Sequence, residues 1–290
     1  MNKQAVCGVF FRSVNALSLA LLFTINPENT MSEHIKPQSS SKLALITGGS
    51  RGLGRAGVLA LAKQGTDILF TYLHNEEAAQ SLVADIQALG RKAACVQLDT
   101  RKTDSFGDFV VTVGGLLSDY FNRDGIDFLL NNAGAGLHKD FVDTTEAEFD
   151  DLYLQHLKGP YFLTQALLEH LNDGGHILNV SSGLARFSMP GASAYAVMKG
   201  GVEVMSRYMA KELGDRGISV NTLAPGAIAT DFNGGTVRDN EALNRFVAEA
   251  TAKGRVGEAS DIGDVIAQLL SVRSSWITGQ RIEASGGMFL

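Results

Sequence analysis

The stretch LALITGGSRGLGRAG, residues 43–57, decides the fold. It begins with a short apolar run, Leu43 to Thr47. Among the glycines that follow, Gly48, Gly52 and Gly54 are spaced G-x3-G-x-G, and Leu53 opens an amphipathic segment that reaches Gln64. This is a strand, a tight turn and a helix. Such a turn collects backbone N–H groups at a helix N-terminus, which suits a diphosphate. Glycine serves where φ is positive or where a ligand must come close to the backbone.

Working outward, the same alternation repeats to the end of the chain. Short apolar runs stand at 43–47, 67–72, 93–98, 126–131, 176–181, 218–224 and 280–284. They are apolar on both faces, as strands of a covered parallel sheet are. Longer segments between them, at 53–64, 76–89, 103–121, 148–171 and 193–213, have the length of crossover helices. The fold expected is α/β: a Rossmann-type doubly wound parallel sheet of about seven strands with helices on both faces. No linker or composition break follows residue 42, so residues 42–290 read as one domain.

Residues 1–41 read as an N-terminal extension. An apolar stretch from Val14 to Ile25 is too short for a bilayer, which needs about 20 residues, so no stable membrane insertion is expected. It has the length of a signal-peptide core, but no small-x-small cleavage site follows. Met31, before a polar segment, is an alternative initiator. Net charge is -6 and basic residues form no runs, which argues against nucleic acid as a partner. Two cysteines, Cys7 and Cys95, make no disulfide framework. A reducing, cytoplasmic setting is the default. No residue is assigned to a metal.

The second strand bears on the cofactor. In NAD enzymes an acidic residue at its end binds the ribose 2′-hydroxyl. Here Tyr72 and Leu73 hold that place, and Glu76 and Glu77 come later. Arg51 in the glycine loop, with His74 and Asn75, offers positive charge and donors to a 2′-phosphate. NADP(H) is therefore expected over NAD(H).

Further on, SSGLARFSMPGASAYAVMKGG (181–201) places Tyr195 and Lys199 four residues apart, on one face of a helix. A free tyrosine titrates near pH 10. A neighbouring Lys⁺ favours the phenolate, and a shift of about three units corresponds to about 4 kcal/mol. Taken together, the chain from about Lys42 to Leu290 resembles the short-chain dehydrogenase/reductase family, in its single-domain branch. TGGSRGLG, NNAG at 131–134, Asp99, Ser182 thirteen residues before Tyr195, PGAIAT at 225–230, ITGQ at 277–280 and SGG at 285–287 carry the resemblance in order.

The resemblance implies roles. Tyr195 is the expected general acid in reduction and base in oxidation. Ser182 would bind the substrate oxygen, and Lys199 would tune Tyr195 and hold the nicotinamide ribose. Gly48, Ser50, Gly52, Leu53 and Gly54 would take the diphosphate end, and Arg51 and His74 the 2′-phosphate. Asp99 would meet the adenine, and Asn132, Ala133 and Gly134 would line the groove. Pro225, Gly226, Ile228 and Thr230 would serve the carboxamide end, while Asn131 would bridge strands. One slot departs from the pattern. The family's N-L-x-G reads His156-Leu157-Lys158-Gly159 here, so a histidine stands where a relay asparagine is expected. It is read either as a core histidine or as a pH-sensitive member of the proton path.

The substrate is expected to be a small carbonyl or alcohol. It would be met by loops 184–193, with Phe187 and Met189, and 231–255, with Phe232 and Arg238. A 3-oxoacyl-carrier-protein reductase is the alternative, weakened because LLEHLNDGGH (167–176) carries no Lys or Arg and only Arg207 and Arg216 lie further on. A non-enzymatic dinucleotide-binding sensor or scaffold is the third reading. The helices at 148–171 and 193–213 suggest a homotetramer, then a dimer.

Overall fold

A computed structural model describes residues 41–290. The extension expected over residues 1–41 therefore lies, apart from Ser41, outside the described residues.

LALI becomes β1 (Leu43–Ile46), fully buried on both faces. The other apolar runs become β2 (Asp67–Tyr72), β3 (Ala93–Gln97), β4 (Ile126–Asn131), β5 (Leu171–Val180), β6 (Ser219–Pro225) and β7 (Arg281–Ala284). They form one sheet in the order β3-β2-β1-β4-β5-β6-β7. Every adjacent pair is parallel. The order reverses between β1 and β4, which opens a crevice at the strands' C-terminal ends.

Alternation along each strand divides the core in two. Ala44, Ile46, Ile68, Phe70, Phe128 and Leu130 pack with α1 (Gly52–Lys63), α2 (Glu76–Ala88) and α9 (Ala259–Leu269). Leu43, Leu45, Leu69, Leu129, Ile177 and Val220 face the other way. They meet α3 (Phe106–Leu116), α5 (Gly159–Leu167) and α6 (Ser193–Glu212). The remaining helices are α4 (Glu146–Tyr153), with a Thr145/Glu148 capping box, and α7 (Thr236–Asp239) and α8 (Glu241–Glu249) between β6 and α9.

Two expected boundaries need correction. The helix read over 148–171 starts at Glu146 and leaves the α-helix at Leu167, and Leu171 already belongs to β5. Asn172–Gly175 hid the strand start because they are polar and glycine-rich; the pairing with β4 shifts register there, between Ile126 and Phe128. The same helix is also not uniform. Leu154–Lys158 form a π turn between α4 and α5, and the Gly159 N–H donates to Leu154 O, five residues back.

Candidate active site

The expected site residues converge at the C-terminal ends of the strands. Gly48 to Gly54 join β1 to α1, Asp99 follows β3, and Asn132 to Gly134 follow β4. Ser182 follows β5, and Pro225 ends β6 ahead of Gly226, Ile228 and Thr230. Tyr195 and Lys199 come from the first two turns of α6.

The glycine loop is stitched to its neighbours. The Gly48 N–H donates to Thr71 Oγ1 at 3.1 Å, and Asn132 Nδ2 donates to the carbonyls of Thr47 and Gly48 at 3.0 and 3.1 Å. A Cβ on Gly54 would lie 2.2 Å from Gly48 O. Gly52, by contrast, has φ +54° and open space around the position of a Cβ. The loop is thus a bare backbone cradle at the start of α1, with a chemistry that fits a diphosphate. Ser50 and Leu53 are half-buried beside it.

At the end of β2, Tyr72 is buried while Leu73 and His74 are exposed, as is Arg51. Tyr72 and Leu73 thus stand where NAD enzymes carry a carboxylate. Asn75, expected as a further donor, caps α2 by accepting from the Ala78 N–H at 2.9 Å. Asp99 has both oxygens engaged by Arg101 Nε and Nη2, each at 2.8 Å, and this pairing holds its carboxyl below the usual range.

Tyr195 and Lys199 are both buried, 9% and 5% exposed. Lys199 Nζ donates to Val180 O at 2.7 Å and lies 5.4 Å from the centre of the Tyr195 ring. Burial pulls the Lys199 amine down to about 7. It also raises the Tyr195 phenol, with only a hydrogen bond to Ser182 pulling the other way. In the protein alone, then, Lys199 does not bring the phenol toward neutrality as expected. Desolvation opposes the charged form of each.

His156 sits in the π turn, 3% exposed, its ring edge-on to Tyr195 at 5.3 Å. Its Nε2 lies 2.8 Å from Ala135 O, so Nε2 carries the proton. Burial, with the nearby Lys199 charge, pulls its pKa down to about 3. The expected pH-sensitive group near neutrality is therefore corrected: the imidazole stays neutral. A Cβ on Gly134 would fall 2.3 Å from its Cε1, so the glycine after Ala133 makes room for this ring.

A cavity of about 10 Å³ lies behind the site, lined by Thr47, Asn131, His156, Asn179 and Lys199 among others. Two buried atoms of that lining, His156 Nδ1 and Asn131 Oδ1, have no hydrogen-bond partner. Asn131 otherwise bridges as expected, donating to Thr164 Oγ1 at 3.0 Å and Asn179 Oδ1 at 2.8 Å.

The neutral His156 has a consequence for stability. The unfolded chain protonates it near pH 6.5, the folded protein only near pH 3. A folded pKa held below the unfolded one gives stability that is full above pH 6.5 and lost as pH falls, at about 1.4 kcal/mol per unit. His156→Asn is expected to shrink the difference in unfolding free energy between pH 8 and pH 5 by about 2 kcal/mol. Urea titrations measure it, and an unchanged difference would mean the folded ring takes up the proton.

Over the substrate side, Phe232 lies 6.1 Å from Tyr195, and a Cβ on Gly136 would meet the Asn233 amide. Asn233, Gly234 and Gly235 have left-handed backbone, φ 51°, 69° and 78°. Arg238 ties Asp231 to Asp239 at 2.5 and 2.7 Å. Phe187, expected in the pocket, instead packs on Phe289 at 4.8 Å. Arg216 is committed to Asp173 and to the carbonyls of Leu168 and Leu171. Sequence reasoning missed Arg101, Asp151 and Gln155, which link the end of β3 to the loop after β4. The Asp151/Gln155 spacing of four on a helix was the available signal.

The fold and this cluster define an oxidoreductase-type dinucleotide site, and comparison with known proteins places it. Residues 48–289 match the model of the family described as Enoyl-(Acyl carrier protein) reductase. The short-chain dehydrogenase/reductase FrzI of Cladobotryum sp is 37% identical over 257 residues, covering 87% of this chain and 97% of its own. Among solved structures, the promiscuous reductase LugOII, which catalyses keto-reduction at C1 during lugdunomycin biosynthesis, is 37% identical with a TM-score of 0.80, covering 85% of this chain and 96% of its own. The angucycline C-6 ketoreductase LanV, with bound NADP, is 32% identical with a TM-score of 0.79, covering 86% and 95%. The chain belongs to the single-domain short-chain dehydrogenases/reductases.

Proposed function

We propose that the protein is an NADP(H)-dependent oxidoreductase that moves a hydride between nicotinamide and the carbonyl or alcohol of a small substrate. The observation that carries the reading is the buried Tyr195 with the Lys199 amine 5.4 Å from its ring centre and Ser182 near enough to favour its phenolate. When bound, NADPH supplies the hydride. Tyr195 gives its proton to the substrate oxygen, and Ser182 holds that oxygen as negative charge develops. Lys199, once protonated, stabilises the phenolate left behind. The glycine loop, Asn132 to Gly134 and Pro225 to Thr230 hold the cofactor. Arg51 and His74 would take the 2′-phosphate, and Asp99 would meet the adenine.

His156 is the relay member in this reading. A cavity near the size of one water, bounded by two unpartnered acceptors and Lys199, supports a water that returns the proton to Tyr195. His156 acts there as a neutral acceptor through Nδ1. His156→Asn is expected to keep kcat within about threefold and His156→Leu to lower it about tenfold or more. Equal activity of the Leu variant would leave His156 as packing.

The ketone reading stands ahead of a carrier-bound acyl substrate because Arg216, one of the two candidate docking cations, is used internally. LanV and LugOII, both described as acting on ketones, add support. In this reading the enzyme is cytoplasmic, with one domain over residues 42–290. Among the described residues no helix is long and apolar enough to cross a membrane. Exposed Phe149, Tyr153, Tyr161 and Phe162 on α4 and α5, with Val197 and Tyr208 on α6, support a homo-oligomer, tetramer before dimer.

The test is a panel of ketones, 3-oxoacyl and 2-enoyl thioesters and alcohols, each with both cofactors. Ketone turnover is expected, with kcat/KM for NADPH above that for NADH by about tenfold, and Arg51→Ala narrowing the gap. Preference for NADH sinks the cofactor assignment. Cofactor binding without any turnover favours the sensor reading.

A further inference from the structure

Gln155 and His156 are consecutive, yet both reach Ala135. The Ala135 N–H donates to Gln155 Oε1 at 3.0 Å, and the Ala135 carbonyl accepts from His156 Nε2 at 2.8 Å. Neighbours on an α-helix stand about 100° apart and do not face one group. The π turn allows it here. Gln155 is itself braced. Its Nε2 donates to Asp151 Oδ2, and Asp151 Oδ1 accepts from Arg101 Nη1 at 3.2 Å. Arg101 in turn grips Asp99. Thr100, between them, is pressed onto the start of α5, where a Cβ on Gly159 would lie 2.2 Å from Thr100 O.

We propose that Gln155, braced by Asp151 and Arg101, is a positioning residue that fixes Ala135 and thereby sets the tautomer of His156. Ala135 is exposed and has only a methyl group to anchor it. Its place next to the ring depends on the bond to Gln155. With the carbonyl held, His156 Nε2 has to donate, and the neutral ring keeps a bare Nδ1 toward Gly134 and the cavity. With Ala135 released, the carbonyl drifts from Nε2 and the proton is free to sit on either nitrogen. The ring then presents a donor or an acceptor to the cavity at random, and only the acceptor takes a hydrogen bond from a water held there. The proposal rests on His156 belonging to the proton path.

The experiment uses full-length protein with ¹⁵N-labelled histidine, whose ring nitrogen shifts read the tautomer directly. The His156 signals are assigned by their loss in His156→Asn. The wild type is expected to show protonated Nε2 and bare Nδ1. Gln155→Leu should give a mixture of tautomers and lower kcat about tenfold, with KM for NADPH held within about twofold. Gln155→Glu sets two carboxylates against each other at 151 and 155 and should behave alike. The double variant Asp151→Asn/Gln155→Glu reverses that hydrogen bond. It leaves an acceptor for the Ala135 N–H and an oxygen for Arg101, so it should restore both the single tautomer and kcat to within about twofold. A Gln155→Leu protein that keeps the single Nε2–H tautomer overturns the positioning role, whatever its activity. A shifted tautomer with unchanged kcat upholds the positioning and removes His156 from the proton path instead.

Discussion

Tyr195→Phe is expected to cut kcat by about a thousandfold while NADPH binds almost as before. The variant deletes one oxygen and keeps the ring. The edge-on contact with His156 at 5.3 Å and the contact with Phe232 at 6.1 Å both use the ring, so packing survives. The lost atom is the phenol oxygen, on which Ser182 acts to favour the phenolate. A phenylalanine neither donates a proton to a substrate oxygen nor accepts one back, and Ser182 alone is no substitute acid because a free hydroxyl gives up its proton far less readily than a phenol. Cofactor affinity, read from NADPH fluorescence, and the thermal midpoint are the controls, and both should change little. Residual turnover above a few per cent, with binding intact, would remove Tyr195 from the chemistry.

The second large effect is Gly54→Ala. Its new methyl would stand 2.2 Å from Gly48 O, 3.0 Å from Gly48 C and 2.7 Å from Asn132 Nδ2. None of the three is a flexible side-chain end. Two are backbone, and Asn132 Nδ2 is pinned by two carbonyls at 3.0 and 3.1 Å. Relief requires the loop to open, which spoils the cradle and loosens the tie between the ends of β1 and β4. A stability loss of about 2 kcal/mol and a fall in NADPH affinity of about a hundredfold are expected, read by denaturant titration and calorimetry. Affinity within a few-fold of wild type would show that the diphosphate is held elsewhere.

The fold was legible because strands buried on both faces leave unbroken apolar runs, and LALI, DILFTY and IDFLLN could be read directly. Asn172–Gly175 escaped because their side chains are polar or absent and carry no apolar signal, and Leu171, though buried, reads equally well as the end of the preceding helix. The chemistry of the site was legible wherever spacing determines it. Tyr195 and Lys199 share a helix face at any burial, and Ser182 stands at a strand end fixed by its own run. What spacing does not carry is desolvation, which depends on elements brought together from across the chain. So the neutral His156, the lowered Lys199 and the raised Tyr195 came only from the assembled structure. The same holds for Phe187, whose partner Phe289 lies a hundred residues away.

The π turn at Leu154–Lys158 has one more consequence. A π turn is an α-helix carrying one residue more than its hydrogen-bond ladder needs. Deleting a single residue there would let α4 and α5 run as one regular helix. Everything on one side of the deletion would then rotate by about 100° relative to the other. Gln155 and His156 would no longer share a partner, and Gly159 would leave Thr100. Most single deletions within a helix displace a surface; this one would uncouple two ends of a cofactor groove. Chain length in this segment is therefore under tighter constraint than the identity of its exposed residues. An alignment of relatives should show substitutions there far more often than gaps.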